Sequence, residues 1–400
     1  MKIKFHISLI WLMLIAVALG IFVGNFASIS LVRVMVTFNA FFSSLLAFIV
    51  PLLVLALVTA AISETTSGAG KMLVWTIALA YVSTILAGLF GYGAGSFLFP
   101  DMVASGKTTE NPVNEEVMGM FTPYFELYFP PVMDTMSALV LAFMLGIGVV
   151  KFKLETIGKL VSELRNIIMM VISGLVIPLL PIYIFGVFMK MTKTGEMKLI
   201  LSVYWKICVM IMLLLTILIV IQYLIAGWIA KKNPFKMLYS MFPALFTALA
   251  SSSSAATLPI TLSCARKMGA SDNVVNFVIP MCANVHLSGA SLRTVGLAVA
   301  TMLMFDLPFD FLTMLGFILI FSITVLAAPG VPGGVIFAAV GLLKAMLGFT
   351  EPMIAIMISL NVALDSLGTA VNVTGDGALM MIIDGIMKRK KDADNEPPAA

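Results

Sequence analysis

The last apolar segment of the chain contains the polar seam Asn361-Val-Ala-Leu-Asp-Ser-Leu-Gly-Thr-Ala-Val-Asn-Val-Thr-Gly-Asp376. Four polar side chains recur in it at spacings of four, three and four residues: Asp365, Thr369, Asn372 and Asp376. On a helix this spacing puts them on one stripe. A carboxylate at bilayer depth costs about 2.5–3.5 kcal/mol on insertion scales, so the stripe predicts a transport or ion site. The alternative is a pair of structural aspartates hydrogen-bonded inside a helical bundle.

The composition around this seam predicts an all-α integral membrane protein. Hydrophobic residues make up 61% of the 400 and charged residues 11%, whereas soluble domains carry about 25% charged residues. The apolar segments are long and continuous, which is typical of membrane helices and not of the short alternating strands of outer-membrane barrels. We expect the chain to lie in the inner (plasma) membrane.

Apolar runs of about 20 residues are long enough to span a bilayer, and they predict eight transmembrane helices. We place these helices near 7–28, 34–63, 71–99, 131–150, 158–189, 197–230, 272–305 and 352–386. Lysine clusters follow the fourth, sixth and last of these segments, whereas the loop at 101–116 is acidic. The positive-inside rule therefore predicts cytoplasmic N- and C-termini. Lys190, Lys193 and Lys198 disagree with this orientation. The polar tail at 389–400 is predicted to be cytoplasmic, and disordered from 390.

Two segments of the second half predict re-entrant helical hairpins. The segment near 236–268 has basic flanks and is interrupted by Ser251-Ser-Ser-Ser254. The segment near 309–349 has acidic flanks and is broken at Gly330-Val-Pro-Gly-Gly334. A segment with like-charged flanks enters and leaves on the same side, and exposed backbone at its tip is tolerated only where it lines a cavity. Such broken pairs indicate a transporter site at the bilayer midplane.

Other chemistry has little support in the sequence. The three cysteines, Cys208, Cys264 and Cys282, lack pair spacing for a disulfide or a metal. There is no nucleophile–base pair and no nucleotide loop, so neither an enzyme nor a nucleic-acid partner is expected. His286 lies inside an apolar segment. It is either an interior hydrogen-bonding group or a proton carrier, because imidazole changes charge near neutral pH.

The chain resembles the dicarboxylate/amino acid:cation symporter family, the glutamate transporter homologues. The resemblance rests on the serine-tipped hairpin, on the Gly-Val-Pro-Gly tip and above all on Val371-Asn-Val-Thr-Gly-Asp376. It implies a homotrimer and an elevator-type fold. Scaffold and trimerisation helices would occupy 1–70 and 131–190, and a moving transport domain 71–99 and 197–388.

The resemblance also implies roles for individual residues. Asp365 resembles the aspartate that holds the substrate's ammonium group, and Asn372 the asparagine that holds its α-carboxylate. Asp376 resembles a sodium-binding carboxylate, joined by Asn372 and by backbone oxygens at Cys282 and His286, and a hard cation prefers such oxygen ligands. The remaining substrate-site residues implied in this way are Ser253, Ser254, Val331, Pro332, Gly333, Gly334, Gly368 and Thr369.

Departures from the family pattern predict a neutral substrate. Members that take acidic substrates have an arginine where this chain has Gly368, and a threonine where it has Ala290. An acidic side chain would then lack both the bidentate fork and the hydroxyl that normally hold it. We therefore expect a neutral amino acid as the substrate. The alternative is an acidic amino-acid or dicarboxylate symporter with another cation, such as Arg293.

A second departure affects the coupling ion. The family's Asn-Met-Asp-Gly-Thr motif is His286-Leu-Ser-Gly-Ala290 here. This removes a carboxylate and an amide from a cation site, of which Thr84 and Ser288 remain as candidates. We expect at least one Na⁺, with His286 as the candidate carrier of a proton in place of another. The same loss leaves open a non-transporting receptor or an ion channel on this scaffold.

Overall fold

The computed structural model describes residues 9–65, 71–107, 121–325 and 334–395; most of these residues are helical, and there is no strand among them. A π-helical segment, Ile172–Val176, joins the helices Glu155–Val171 and Ile177–Thr194. The α-helices in these ranges are α1 (Leu9–Phe26), α2 (Ile29–Thr65), α3 (Lys71–Lys107), α4 (Thr135–Phe152), α5 (Glu155–Val171), α6 (Ile177–Thr194), α7 (Glu196–Ala230), α8 (Pro234–Ser240), α9 (Phe242–Ser251), α10 (Ser254–Lys267), α11 (Asp272–Val285), α12 (Ser288–Met304), α13 (Phe311–Thr324), α14 (Gly334–Leu347), α15 (Glu351–Ala363) and α16 (Asp365–Asn395).

Several of these helices are apolar and long enough to cross a membrane. Six such spans lie in the described residues: Ile29–Ala60, Met72–Ala104, Glu155–Thr194, Ile200–Ala230, Asp272–Met304 and Asp365–Lys388. Shorter apolar helices, such as Phe311–Thr324, accompany them. Large side chains such as Phe97 and Trp228 are exposed, which suits a surface that faces lipid. The helical, multi-pass membrane class predicted from composition agrees with this.

The two predicted hairpins have different tips. α9 and α10 pack against each other, and the chain reverses at Ser252 and Ser253. Ser252 takes a left-handed conformation with φ 51°, which is uncommon for a residue other than glycine, and Ser253 caps α10 by accepting from the Ala256 amide at 3.2 Å. α13 and α14 also pack together. Their connection, 326–333, lies outside the described residues.

Two segments predicted as single helices are broken. Instead of one helix near 272–305, α11 ends at Val285 and α12 begins at Ser288, with His286 extended between them. Thr84 of α3 stabilises this break because its hydroxyl accepts from the Leu287 amide at 3.3 Å. The segment 352–386 is interrupted at Leu364, between α15 and α16. Sequence periodicity did not indicate either break, because the residues at the breaks, His286 and Leu364, are both compatible with a helix.

The last helix is longer than predicted. α16 continues to Asn395, so the prediction that the tail is disordered from residue 390 is wrong for 390–395. Residues 396–400 lie outside the described part of the chain. The charged residues at 388–395 are compatible with a helix that leaves the membrane, because charged side chains on a solvated helix cost little.

The helices pack in two groups around the seam. In the first group α1 packs on α6 and α2 packs on α4. In the second, α12 lies against α3, and α16 lies against α7 and α9. Glu351 of α15 joins the groups, because it accepts hydrogen bonds from Ser43 of α2 and from Tyr183 of α6 and pairs with Lys344 of α14. The second group, together with α10, α11, α14 and α15, which pack on it or on each other, holds the site residues described below.

Candidate functional site

The polar stripe of α16 lies inside the protein. Asp365, Asn372 and Asp376 are all buried. In the most apolar stretch of the α16 span, 89% of the residues are buried inside the protein. Asp365 stands at the first residue of α16, directly after the break at Leu364. The regular helix from there onward keeps the four predicted side chains on one face, as their spacing requires. That face meets the hairpin tip, α12 and α7.

A cavity of about 100 Å³ lies between this face and both hairpins. Asp365 is the one ionisable side chain among the described residues that line it. The tip serines and the first residues of α14 are both part of its lining. The full lining comprises Ser252, Ser253, Ser254, Ala255, Ala283, Asn284, Leu287, Ala290, Gly334, Val335, Asp365, Thr369 and Asn372. The predicted contacts Val331, Pro332 and Gly333 lie outside the described residues.

Asn372 is held in one orientation by α12. Its side-chain oxygen accepts from the backbone amides of Gly289 at 2.8 Å and Ala290 at 3.4 Å. These are amides of the first turn of α12, which have no partner within their own helix. Because the oxygen is committed there, the amide NH₂ group of Asn372 is the part that remains for a ligand in the cavity. An NH₂ group donates, which suits an anionic group such as a carboxylate.

Asp365 is paired with an arginine from α12. Nη2 of Arg293 lies 3.1 Å from Oδ1 of Asp365. The same guanidinium donates to Oδ1 of Asn361 at 3.2 Å and to the carbonyl oxygen of Leu364 at 2.9 Å. The side chain of Asp365 is 10% exposed and that of Arg293 1%. The carboxylate therefore stands between the cavity and the guanidinium, and Arg293 is not part of the cavity wall.

The guanidinium also touches Gly368. A Cβ added at Gly368 would lie 2.7 Å from Nη1 of Arg293, too close for any other residue without a shift. The cation that the alternative of an acidic substrate requires, Arg293, thus lies beside Gly368 and reaches it from α12. Neither Arg293 nor Gly368 is among the described residues that line the cavity.

A second buried pair joins His286 to Asp376. Nδ1 of His286 lies 3.0 Å from Oδ1 of Asp376, and both side chains are sealed from solvent, at 0% and 1% exposure. The extended backbone of His286 at the break between α11 and α12 turns its ring toward α16. Its other ring nitrogen lies 3.0 Å from the Ser83 hydroxyl of α3. The imidazole thus lies directly beside the carboxylate predicted to bind sodium.

Gln222 of α7 belongs to the same buried network. Its NH₂ group donates to the hydroxyls of Ser288 at 3.0 Å and of Ser83 at 3.3 Å, whereas its oxygen is buried without a hydrogen-bond partner. Sequence reasoning missed this residue and Ser83. The signal that would have identified Gln222 is its position inside the apolar run of α7, because intramembrane polar residues face the bundle interior.

The predicted cation ligands are in part occupied by protein contacts. The Cys282 carbonyl accepts from the His286 amide at 2.8 Å, and Asp376 is engaged by His286. Thr84 donates to the Ala80 carbonyl at 2.8 Å, as well as accepting from Leu287. The described residues contain no group of three or more His, Cys, Asp or Glu side chains that could hold a metal ion.

A helical membrane protein with two hairpins that close on a buried polar cavity belongs to the class of membrane transporters. Comparison with known families identifies which one. The chain belongs to the sodium:dicarboxylate symporter family, because the sequence model of that family matches residues 9–386. The resemblance drawn from the Val371–Asp376 motif is thereby confirmed, and so is the prediction of a transporter instead of an enzyme.

The curated relatives are named as transporters. A serine/threonine transporter of Streptococcus suis (strain 05ZYH33) is 26% identical over 328 residues, which cover 80% of this chain and 90% of that protein. A serine/threonine transporter of Acinetobacter baylyi is 23% identical over 398 residues, 97% of this chain and 99% of its own. The human excitatory amino acid transporter 3 is 34% identical, but over 177 residues, 43% of this chain and 33% of that protein.

Proposed function

We propose that the protein is a cation-coupled secondary symporter that imports a small neutral amino acid. The observation that carries the proposal is the cavity, where one carboxylate, Asp365, faces a set of hydrogen-bond donors. A zwitterionic amino acid needs an anion for its ammonium group and donors for its carboxylate. Asp365 supplies the first, and the amide of Asn372 together with the tip at Ser253 and Ser254 supplies the second.

The preference for a neutral substrate rests on the contents of the cavity wall. Among the described lining residues there is no basic side chain. Three of the five N–H donors of Arg293 are engaged by Asn361, Leu364 and Asp365. Its side chain is 1% exposed, so a substrate carboxylate in the cavity would have to displace Asp365 to reach it. The serine/threonine transporters that match most of the chain support the same preference.

Coupling is assigned to Na⁺ and to the pair His286–Asp376. The family description supports sodium, and Asp376 with Asn372 remains the candidate ligand set. His286 lies where a cation would meet Asp376, and a protonated imidazole carries one positive charge. A proton on His286 therefore replaces one Na⁺ in this proposal, with Ser83, Thr84, Gln222 and Ser288 as the surrounding polar groups.

The transport cycle is an elevator movement. The two helix groups support a scaffold at 1–70 and 131–190 and a transport domain at 71–99 and 197–388, in a homotrimer with eight transmembrane helices and two re-entrant hairpins. The tip at 330–334 acts as the outer lid. The protein lies in the inner membrane with both termini in the cytoplasm. Coupling of substrate to cation in this alternating-access cycle requires that only the empty and the fully loaded domain move.

A thermal-shift screen of the purified protein against serine, alanine, asparagine and aspartate, with and without Na⁺, tests the proposal. A ligand that binds the folded state stabilises it and so raises the melting temperature. The stabilisation is about 2.7 kcal/mol at a ligand concentration of one hundred times Kd. We expect neutral amino acids to raise Tm in the presence of Na⁺. If none of them does so with or without Na⁺, the function is wrong.

An acidic amino-acid or dicarboxylate symporter is the second candidate. The observation that favours it is the guanidinium of Arg293 at the Gly368 position. In that case aspartate or succinate, and not serine, raises Tm and competes for uptake. A channel or receptor would instead give ion current or ligand binding in reconstituted vesicles without concentrative uptake.

A further inference from the structure

Arg293 is built into the protein on every side. Its side chain is 1% exposed and makes three hydrogen bonds, to Asn361, Leu364 and Asp365. Asn361 is itself fixed, because its NH₂ group donates to the Met357 carbonyl at 2.8 Å. A second donor, the Thr294 hydroxyl, reaches the same Asn361 oxygen at 2.9 Å. A guanidinium held in this way is a fixed charge of the site.

The space for this charge exists because residue 368 is glycine. A Cβ there would lie 2.7 Å from Nη1 and 3.2 Å from Cζ of Arg293. The guanidinium is planar and makes three hydrogen bonds, so a shift that relieves this contact would disturb those bonds. Gly368 and Arg293 therefore form a matched pair, in which the small residue of α16 admits the large residue of α12.

The pairing sets the charge that the cavity presents. Arginine stays protonated at all ordinary pH values, and Asp365 is the one ionisable group of the described cavity wall. The positive charge behind Asp365 cancels its negative charge, so the site as a whole is neutral. In a low-dielectric interior an uncompensated charge is strongly unfavourable. A ligand without net charge is thus the one that leaves the balance intact.

We propose that Arg293 is a specificity-determining positioning residue: from α12, through the gap at Gly368, it fixes Asp365 and makes the site select amino acids of zero net charge. The inference rests on the proposed function and adds the origin of its charge selectivity. Arg293 acts through Asp365 and does not itself touch the substrate.

The test is competition against uptake of radiolabelled serine in proteoliposomes, with competitors of similar size and different charge. The competitors are asparagine (neutral), aspartate (net negative) and 2,4-diaminobutyrate (net positive). For the unaltered protein we expect asparagine to compete best. Arg293→Gln leaves Asp365 without its counter-charge, and the ratio of 2,4-diaminobutyrate to asparagine competition should rise about tenfold or more. Arg293→Lys keeps the charge and should keep the ranking.

Gly368→Ala provides an independent arm, since it displaces the guanidinium without changing any charge. It should shift the ranking in the direction of Arg293→Gln. Gly296→Ala is the matched control: it lies buried on α12, and its Cβ would meet Ile211 atoms at an ordinary 3.7 Å. That variant should leave the ranking unchanged.

The competitor ratio does not depend on how much protein folds, so reduced expression leaves the readout intact. If Arg293→Gln itself fails to fold, Arg293→Lys and Gly368→Ala decide. Unchanged ranking in Gly368→Ala and in Arg293→Gln would overturn the inference while serine uptake still supports the function. Best competition by aspartate, lost in Arg293→Gln, would overturn it as well, because Arg293 would then bind the substrate directly.

Discussion

Two acid–base pairs connect α16 to the region around the break between α11 and α12, and they differ in access and in the base. Asp365 pairs with Arg293 at 3.1 Å beside the cavity, and its side chain is 10% exposed. Asp376 pairs with His286 at 3.0 Å, and neither side chain is exposed by more than 1%. The first base is a guanidinium, which is charged at ordinary pH values, whereas the second is an imidazole, a base that exists in charged and neutral forms.

The difference assigns the two pairs to different tasks. A fixed charge beside a cavity shapes the recognition of a ligand that enters from water. The imidazole of His286 can be charged or neutral and is sealed from the cavity. Such a group suits the uptake and release of one positive charge during a transport cycle. In the proposed function, the pair at Asp365 is therefore the substrate end of the site, and the pair at Asp376 the coupling end.

The largest expected effect comes from removing the carboxylate next to the fixed charge. Asp365→Asn leaves Arg293 buried without a counter-charge, and breaking a buried ion pair costs about 3–5 kcal/mol. Asp376→Asn leaves an imidazole that can remain neutral, and we expect about 1–3 kcal/mol for its poorer hydrogen bonding. Thermal unfolding in detergent measures both, and amino-acid uptake should be lost in Asp365→Asn.

Asp272→Asn is the control for this comparison, because its side chain is 80% exposed and lies 3.9 Å from Arg266. A surface change of this kind should alter stability by no more than about 0.5 kcal/mol. Equal losses in Asp365→Asn and Asp376→Asn would mean that the two bases are in the same charge state, and the distinction between the pairs would not hold.

The second-largest expected effect is on the pH dependence of uptake. If His286 carries the coupling proton, uptake by the unaltered protein should fall as the external pH rises, because each cycle takes one proton from outside. His286→Asn should abolish this dependence. Arg293→Lys, charged throughout, should retain it. A pH profile that is the same with and without the imidazole would reduce His286 to a packing residue.

The smallest effect is expected at Gln222, which supports the coupling end from outside either pair. Gln222→Ala removes donors to Ser83 and Ser288, at a cost of about 0.5–1.5 kcal/mol for a net hydrogen bond. We expect the cation concentration for half-maximal uptake to change, with the ranking of asparagine, aspartate and 2,4-diaminobutyrate unaltered. A changed ranking would show that the two ends of the site are not separate.

Much of the site could be predicted because its residues lie on one helix. The spacing of Asp365, Asn372 and Asp376 fixes a common face at 3.6 residues per turn, and the structure has them on one face of α16. The serine tip was likewise found from its polar run. Contacts between helices were not predictable in this way, because no spacing along the sequence indicates the Gln222 network or the close contact between Arg293 and Gly368.

The sequence by itself determined the membrane class, the stripe of α16, the serine turn and the family. Local periodicity and the cost of polar groups in lipid are enough for these. Only the tertiary structure decided which base meets which acid, since Arg293 reaches α16 from within α12 and His286 from the break before it, and periodicity reveals neither contact. The physical reason is that a buried charge must find its partner in three dimensions, where distance along the chain carries no information.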